Sequence, residues 1–238
     1  MNNDTTPITQ DLQEHSSPSV HESIAALLEQ FKTGKKTMEY IRPEMLPDID
    51  LYMDQVTTFM DSHLQSTKRY PGDKILTKTM INNYAKNDLL PPPHKKKYSK
   101  DHLLLLTFIY YLKNMLSMND IQSLLEPVKA RFFQNQQAPI RLEDIYREIF
   151  SQARDTQDSI LSDIYEKYEK SRESFNTDSA DEPTVPDKED TAMLQDFTFV
   201  CLLCYDIFLK KQLVEQIIDT MNEAQHPLTG AKGPEKHK

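Results

Sequence analysis

Apolar residues recur at three- and four-residue intervals along most of this chain, and the breaks between those runs mark out a series of helices. From Val20 to Phe31, Ile24, Leu27, Leu28 and Phe31 share one face, which predicts a short amphipathic helix ending near Gly34 and either packed on the body or standing apart. After Pro47, the run Ile49 to Leu64 puts Tyr52, Val56, Phe59, Met60 and Leu64 on one side, with Asp48 or Asp50 available as N-cap. A polar connection holding Pro71-Gly72 follows, and Thr77 caps a second helix of this unit. Pro91-Pro92-Pro93 then forbids helix and imposes an extended path. Ser99 caps a further helix with Leu103, Leu106, Ile109, Tyr110 and Leu112 at helical spacing. Ser117 caps the next, through a weak Ser117-to-Asp120 capping box, and that helix is expected to end near Pro127.

Two longer periodic stretches close the chain. From Arg141 the stripe Ile145, Ile149, Ala153, Ile160, Ile164 and Tyr168 predicts one helix of about 35 residues that packs on a partner. Residues 192–224 form a strongly apolar helix, with Phe197, Val200, Cys201, Cys204, Ile207, Phe208, Val214, Ile217, Ile218 and Met221, of the kind found inside a bundle or at a dimer contact. The resulting plan is a disordered leader over 1–20, a short helix and linker over 21–46, and a compact unit over 47–130. A C-terminal helical dimerisation or regulatory region over 139–225 follows, interrupted by an acidic loop at 176–190, with a flexible tail over 226–238.

Composition agrees with a mainly α fold: 4 glycines, 14 prolines gathered in a few places, 38% apolar and 27% charged residues in 238. The net charge of −9 excludes a surface that is basic throughout. It is unevenly spread. Between Lys74 and Lys113 stand eight lysines and two acids, so this segment is +6 and the remainder −15. A basic patch on an acidic body is the distribution of a protein that meets phosphates with one face. The N-terminal residues lack the apolar run of a secretory signal. The run Phe197 to Leu209 is too short for a bilayer and is interrupted by Asp206, and two cysteines give no disulfide framework. The expectation is a cytoplasmic protein without a membrane partner.

The segment Ile75 to Ser99 concentrates the candidate chemistry. A helix after Thr77 offers Lys78, Thr79, Asn82, Asn83 and Lys86 as partners for phosphates and base edges, while Met80, Ile81 and Tyr84 supply apolar contact. Beyond the prolines, Lys95, Lys96 and Lys97 form a basic extended segment that, with Tyr98 after it, completes the candidate DNA-binding set. The order of helix, stiff turn and basic extension points to a winged helix-turn-helix. Residues Thr77 to Leu125 resemble the MerR-type winged helix-turn-helix in Ile81-Asn82-Asn83-Tyr84, Leu89-Leu90-Pro91, Lys96-Lys97-Tyr98-Ser99 and Leu103 to Leu112. Asp50 to Val56 with Thr77 to Tyr84 is similar to domain-of-unknown-function family 1836, bacterial proteins believed to be DNA-binding regulators. The resemblance covers roughly residues 45 to 130, about a third of the chain.

It implies that Tyr84 reaches a phosphate, that Asn82 and Asn83 lie near base edges or backbone, and that Lys95, Lys96 and Lys97 form the wing tip. Three departures from the pattern stand out. The family arginine falls on Asn82, the turn glycine falls on Asp88, and the wing is shorter and lacks glycine.

Cys201 and Cys204 share a helical face and read as small core hydrophobes, with a thiol sensor as the lesser reading. No glycine-rich phosphate loop, nucleophile elbow or metal-spaced His/Cys cluster occurs, and the acids around Glu143 to Glu148 have the spacing of a solvated helix face. The expected function is therefore a sequence-specific DNA-binding transcriptional regulator, not an enzyme, using neither cofactor nor metal. Double-stranded DNA is the expected partner, with a homodimer formed through the C-terminal helices and the effector left open. The alternative is a helical protein-protein adaptor that has lost DNA binding, as Asn82 and Asp88 would allow.

Overall fold

In the computed structural model, residues 20–33, 40–176 and 187–225 are described. Among them, helices α1 (Val20–Lys32), α2 (Met53–His63), α3 (Lys78–Lys86), α4 (Lys100–Leu112), α5 (Met118–Phe132), α6 (Leu142–Asp155), α7 (Gln157–Glu173) and α8 (Lys188–Gln225) dominate. A small two-stranded antiparallel sheet pairs β1 (Leu51–Tyr52) with β2 (Lys97–Tyr98), setting Leu51 opposite Tyr98 and Tyr52 opposite Lys97. The leader expected before Val20, most of the acidic loop and the tail after Gln225 lie outside the described residues.

The main core gathers around α4, where Leu103, Leu104, Leu105, Leu106 and Ile109 are fully buried. Val56, Met60 and Leu64 of the α2 segment, Ile81 of α3 and Ile121 of α5 close on them. Ile41 joins from before this unit, and Leu142, Tyr146 and Ile218 from after it. The Tyr146 hydroxyl donates to the Ile41 carbonyl at 2.7 Å, satisfying a buried polar group across more than a hundred residues of chain. A smaller cluster of Leu28, Tyr168 and Phe199 holds α1, α7 and α8 together, so α1 packs on the C-terminal helices.

Several expectations are corrected. The chain enters α2 through β1, so neither Asp48 nor Asp50 caps it; Tyr52 occupies the N-cap position, more than half exposed, and Gln55 accepts its backbone N–H at 2.9 Å. Pro127 lies inside α5, which runs on to Phe132 because Leu124, Val128 and Phe132 pack on the core and offset one missing N–H.

The long helix after Arg141 is two helices meeting at Thr156. There α6 follows the core and α7 follows α8, and the Thr156 hydroxyl turns back onto the Ala153 carbonyl at 2.9 Å. The face that packs in α6 is Leu142, Tyr146 and Phe150; Ile149 and, in α7, Ile160 stay about half exposed.

Helix α8 begins at Lys188 and spans 38 residues without interruption at Asp206, which pairs with Lys210 and Lys167. By length and composition alone it is long and apolar enough to cross a membrane. Among the described residues it is not enclosed by a bundle, and Cys201 and Cys204, expected in a core, are both exposed. By helical phase they fall opposite Gln195 and Phe199, the residues that α8 buries in this half.

Candidate nucleic-acid interface

Helix α3 is short, so its ends decide whether it forms. At its start the Thr77 hydroxyl accepts the Met80 N–H at 3.2 Å. At its end Asp88 adopts φ 55°, the left-handed conformation, which lets the Leu89 N–H return to the Tyr84 carbonyl at 2.9 Å. Asp88 thus performs the turn usually given to glycine, at a position where a short polar side chain is among the better-tolerated alternatives. Leu89 and Leu90, both buried, then anchor the chain as it leaves.

The 3.6-residue period sorts α3 into two faces. Ile81 and Tyr84 point into the core, while Lys78, Thr79, Asn82, Asn83 and Lys86 are exposed. Tyr84, expected at a phosphate, is instead a core side chain at 5% exposure, because it follows Ile81 by one helical turn. Burial pushes its hydroxyl pKa up. Tyr98 is likewise corrected to a core position at 3% exposure, since strand alternation turns it opposite Lys97. It stands edge-on to His102, which stands edge-on to Phe133, at ring separations of 5.4 and 4.8 Å.

The basic extension folds as a tight hairpin. The Lys97 N–H donates to the His94 carbonyl at 2.9 Å across the two-residue turn Lys95-Lys96, where φ is 49° and 65°. Two successive positive φ values define a turn that favours Asn-Gly, and lysine at such positions costs on the order of 1 kcal/mol or more each. Lys95 and Lys96 are exposed at its tip. Lys97 lies over the Tyr52 ring, its ammonium 5.3 Å from the centroid.

The start of α2 ties these parts together. Tyr52 holds Lys97 from the hairpin, and two residues later Asp54 pairs with Lys78 from the first turn of α3. Tyr52 and Asp54 were not legible as site residues in the sequence, since their role depends on the β1–β2 pairing across 45 residues. The basic patch is also thinner than its +6 implies. Lys100 is drawn toward Glu143 at 3.1 Å and Asp48 at 3.7 Å, while Lys113 turns inward to the Ile75 carbonyl and the Tyr110 ring. Lys74, Lys86, Lys95 and Lys96 remain on the surface.

Residues 41–149 match the model of a family described as a domain of unknown function, DUF1836. The chain carries a DUF1836 domain. No curated protein and no solved structure matches the chain. The DUF1836 domain begins at Ile41 and takes in Tyr146, the two residues joined by the buried hydrogen bond described above. It contains α3, the hairpin and the start of α2 whole, while α1, α7 and α8 lie outside it.

Proposed function

We propose that this chain is a sequence-specific DNA-binding transcriptional regulator of the cytoplasm, whose α2–α3 pair and lysine-tipped hairpin work as a MerR-like winged helix-turn-helix. The observation that carries the reading is the outer face of α3, wholly polar or basic and flanked by a hairpin tipped with Lys95 and Lys96. On this reading α3 enters the major groove, with Asn82 and Asn83 at base edges and Lys78 and Lys86 at phosphates. The hairpin lies along the flanking backbone. Tyr84 and Tyr98 support the interface from within rather than touching it. A single small module gives limited affinity, so a two-fold dimer reading an inverted repeat supplies the specificity. The function requires no catalytic group, cofactor or metal.

Selection of bound sequences from a random duplex pool, eluted at rising salt, tests this. An enriched inverted repeat is expected, and changing Lys95, Lys96 and Lys97 to Ala flattens the salt dependence by up to about 3 in slope. A folded protein that enriches no sequence overturns the reading. The adaptor reading is favoured by two observations, the exposed apolar length of α8 and the pairing of Asp54 with Lys78. Binding to a protein without salt-sensitive affinity for any DNA selects it.

A further inference from the structure

Helix α8 leaves its N-terminal half open on the side away from α7. Along that side run Met193, Phe197, the adjacent pair Val200 and Cys201, Cys204 and Phe208, the pair set three or four residues from its neighbours on either side, with Tyr205 and Ile207 beside them. Met193, Phe197, Val200, Tyr205, Ile207 and Phe208 are between 51% and 65% exposed. Large side chains present ~150–250 Å² each when free, so these six leave on the order of 600 Å² of apolar surface. That exceeds most patches on a monomer and, counted on two copies, about 1,200 Å², reaches the lower bound of a specific interface.

The spacing of the stripe reads the same in both directions. Turned end to end about a point between Val200 and Cys201, Val200 meets Cys201 of the second copy, Phe197 meets Cys204, and Met193 meets Phe208. One step further, Asp190 meets Lys211. Each is exposed at its end of the stripe, Lys211 also pairing with Glu215 one turn along its own helix. A parallel pairing sets Asp190 against Asp190 and Lys211 against Lys211, placing like charges together at both ends. Charge complementarity therefore selects the antiparallel arrangement. The stripe also stops where it must: two turns after Lys211 the helix turns Ile218 onto the core of its own DUF1836 domain.

A bilayer is a poorer occupant of this face. Over the same length α8 is bound to the charged helix α7, through Arg172 to Gln195 and Asp196 and through Lys167 to Asp206. Inserting α8 into lipid drags those ion pairs in or breaks them.

We infer that the Met193 to Phe208 stripe of α8 is a self-complementary dimer interface that pairs antiparallel with a second copy of this chain about Val200 and Cys201. The inference rests on the two-fold reading of the proposed regulator, and it gives that dimer a face and a direction.

The test uses full-length protein without DNA, so that failure of the interface and failure of DNA recognition are read separately. Sedimentation equilibrium is expected to show a dimer. Phe197→Glu, with an unchanged helical circular dichroism spectrum, weakens it about a hundredfold or more. Asp190→Lys weakens it about tenfold, and adding Lys211→Asp restores it. Under a mild chemical oxidant the Cys204→Ser variant, which keeps Cys201 near the axis, cross-links. The Cys201→Ser variant does not, because its two Cys204 residues lie roughly 10 Å apart along the helices. A monomer at the highest soluble concentration overturns the inference. So does a dimer indifferent to Phe197→Glu, efficient Cys204 cross-linking, or flotation of the protein with phosphatidylcholine vesicles.

Discussion

Four consecutive leucines of α4, Leu103 to Leu106, are fully buried, while in the comparably apolar stretch Phe197 to Leu209 of α8 only Phe199 falls below a tenth exposed. Both helices carry the same kind of side chain at the same kind of spacing. They differ in what surrounds them. Helix α4 is wrapped by β2, by α6 and by the core side chains of α2, α3 and α5; α8 meets α7 along one flank and α5 near its far end. Apolar content therefore states that a helix gains from cover, at about 25 cal/mol per Å² removed from water, and does not name the cover.

The sharpest way to break this contrast is to truncate one side chain in each helix. Leu105→Ala is expected to cost about 2–5 kcal/mol in urea unfolding, as transfer and cavity terms add at a fully buried site. Phe197→Ala, in protein too dilute to associate, should change stability by no more than about 0.5 kcal/mol. Equal losses would mean that α8 is covered within one chain.

A second variant tests what holds α8 to α7. Arg172 and Asp196 form a largely buried pair, with Gln195 bonded to the same arginine at 3.2 Å. Asp196→Ala leaves that guanidinium without its carboxylate and should loosen α7 from α8 at a cost of about 3 kcal/mol, the lower end for a buried pair because both side chains keep some exposure. Faster amide exchange is expected in α7 and α1, with exchange in α4 unchanged. Uniform acceleration would show that the two clusters unfold as one.

Within the DUF1836 domain the lysine turn offers a finer comparison, between conformational ease and charge. Replacing Lys95 with Asn and Lys96 with Gly should raise stability by about 1–2 kcal/mol, since both positions have positive φ. The same change should weaken DNA binding. Stronger binding would place the hairpin outside the interface.

The mildest prediction concerns pH. His102 is buried between Tyr98 and Phe133, its Nδ1 accepting the Ser99 N–H at 3.0 Å, and desolvation holds its pKa below the usual histidine range. The unfolded chain therefore takes up the proton first. Its contribution is fully present above the unfolded value of about 6.5 and is lost as pH falls from there through the lower folded value. Asp101, raised by burial, works in the opposite sense, so the readout is the difference between wild type and His102→Gln. Glutamine at this third helical position preserves the reciprocal cap. The variant should lose less stability between neutral and mildly acidic pH, measured by urea unfolding; an identical slope removes His102 from the account.

Much of the domain was legible in the chain because its signals are local. Thr77 before α3, Ser117 with Asp120 before α5, and the prolines that keep residues 91–93 extended each act over a few residues, and each stands where the spacing placed it. The outer face of α3 was equally readable from the positions of Lys78, Thr79, Asn82, Asn83 and Lys86. The burial of the Tyr84 and Tyr98 rings was not readable from residue type, because a tyrosine serves equally well as a core ring and as a phosphate donor. The single long helix after Arg141 failed for a related reason. Periodicity continues through Thr156, but the two halves bind different bodies.

The sequence by itself determined the helical class, most helix limits, and the polar and basic character of α3 and the hairpin. These follow from spacing, capping and charge, which act between near neighbours. Only the tertiary structure decided that Tyr52 and Asp54 stand between Lys78 and Lys97 and that Lys100 and Lys113 are drawn away from the patch. It alone decided that Cys201 and Cys204 lie open on α8. Each depends on which distant surface arrives to bury or pair a group, and that is settled when the whole chain packs.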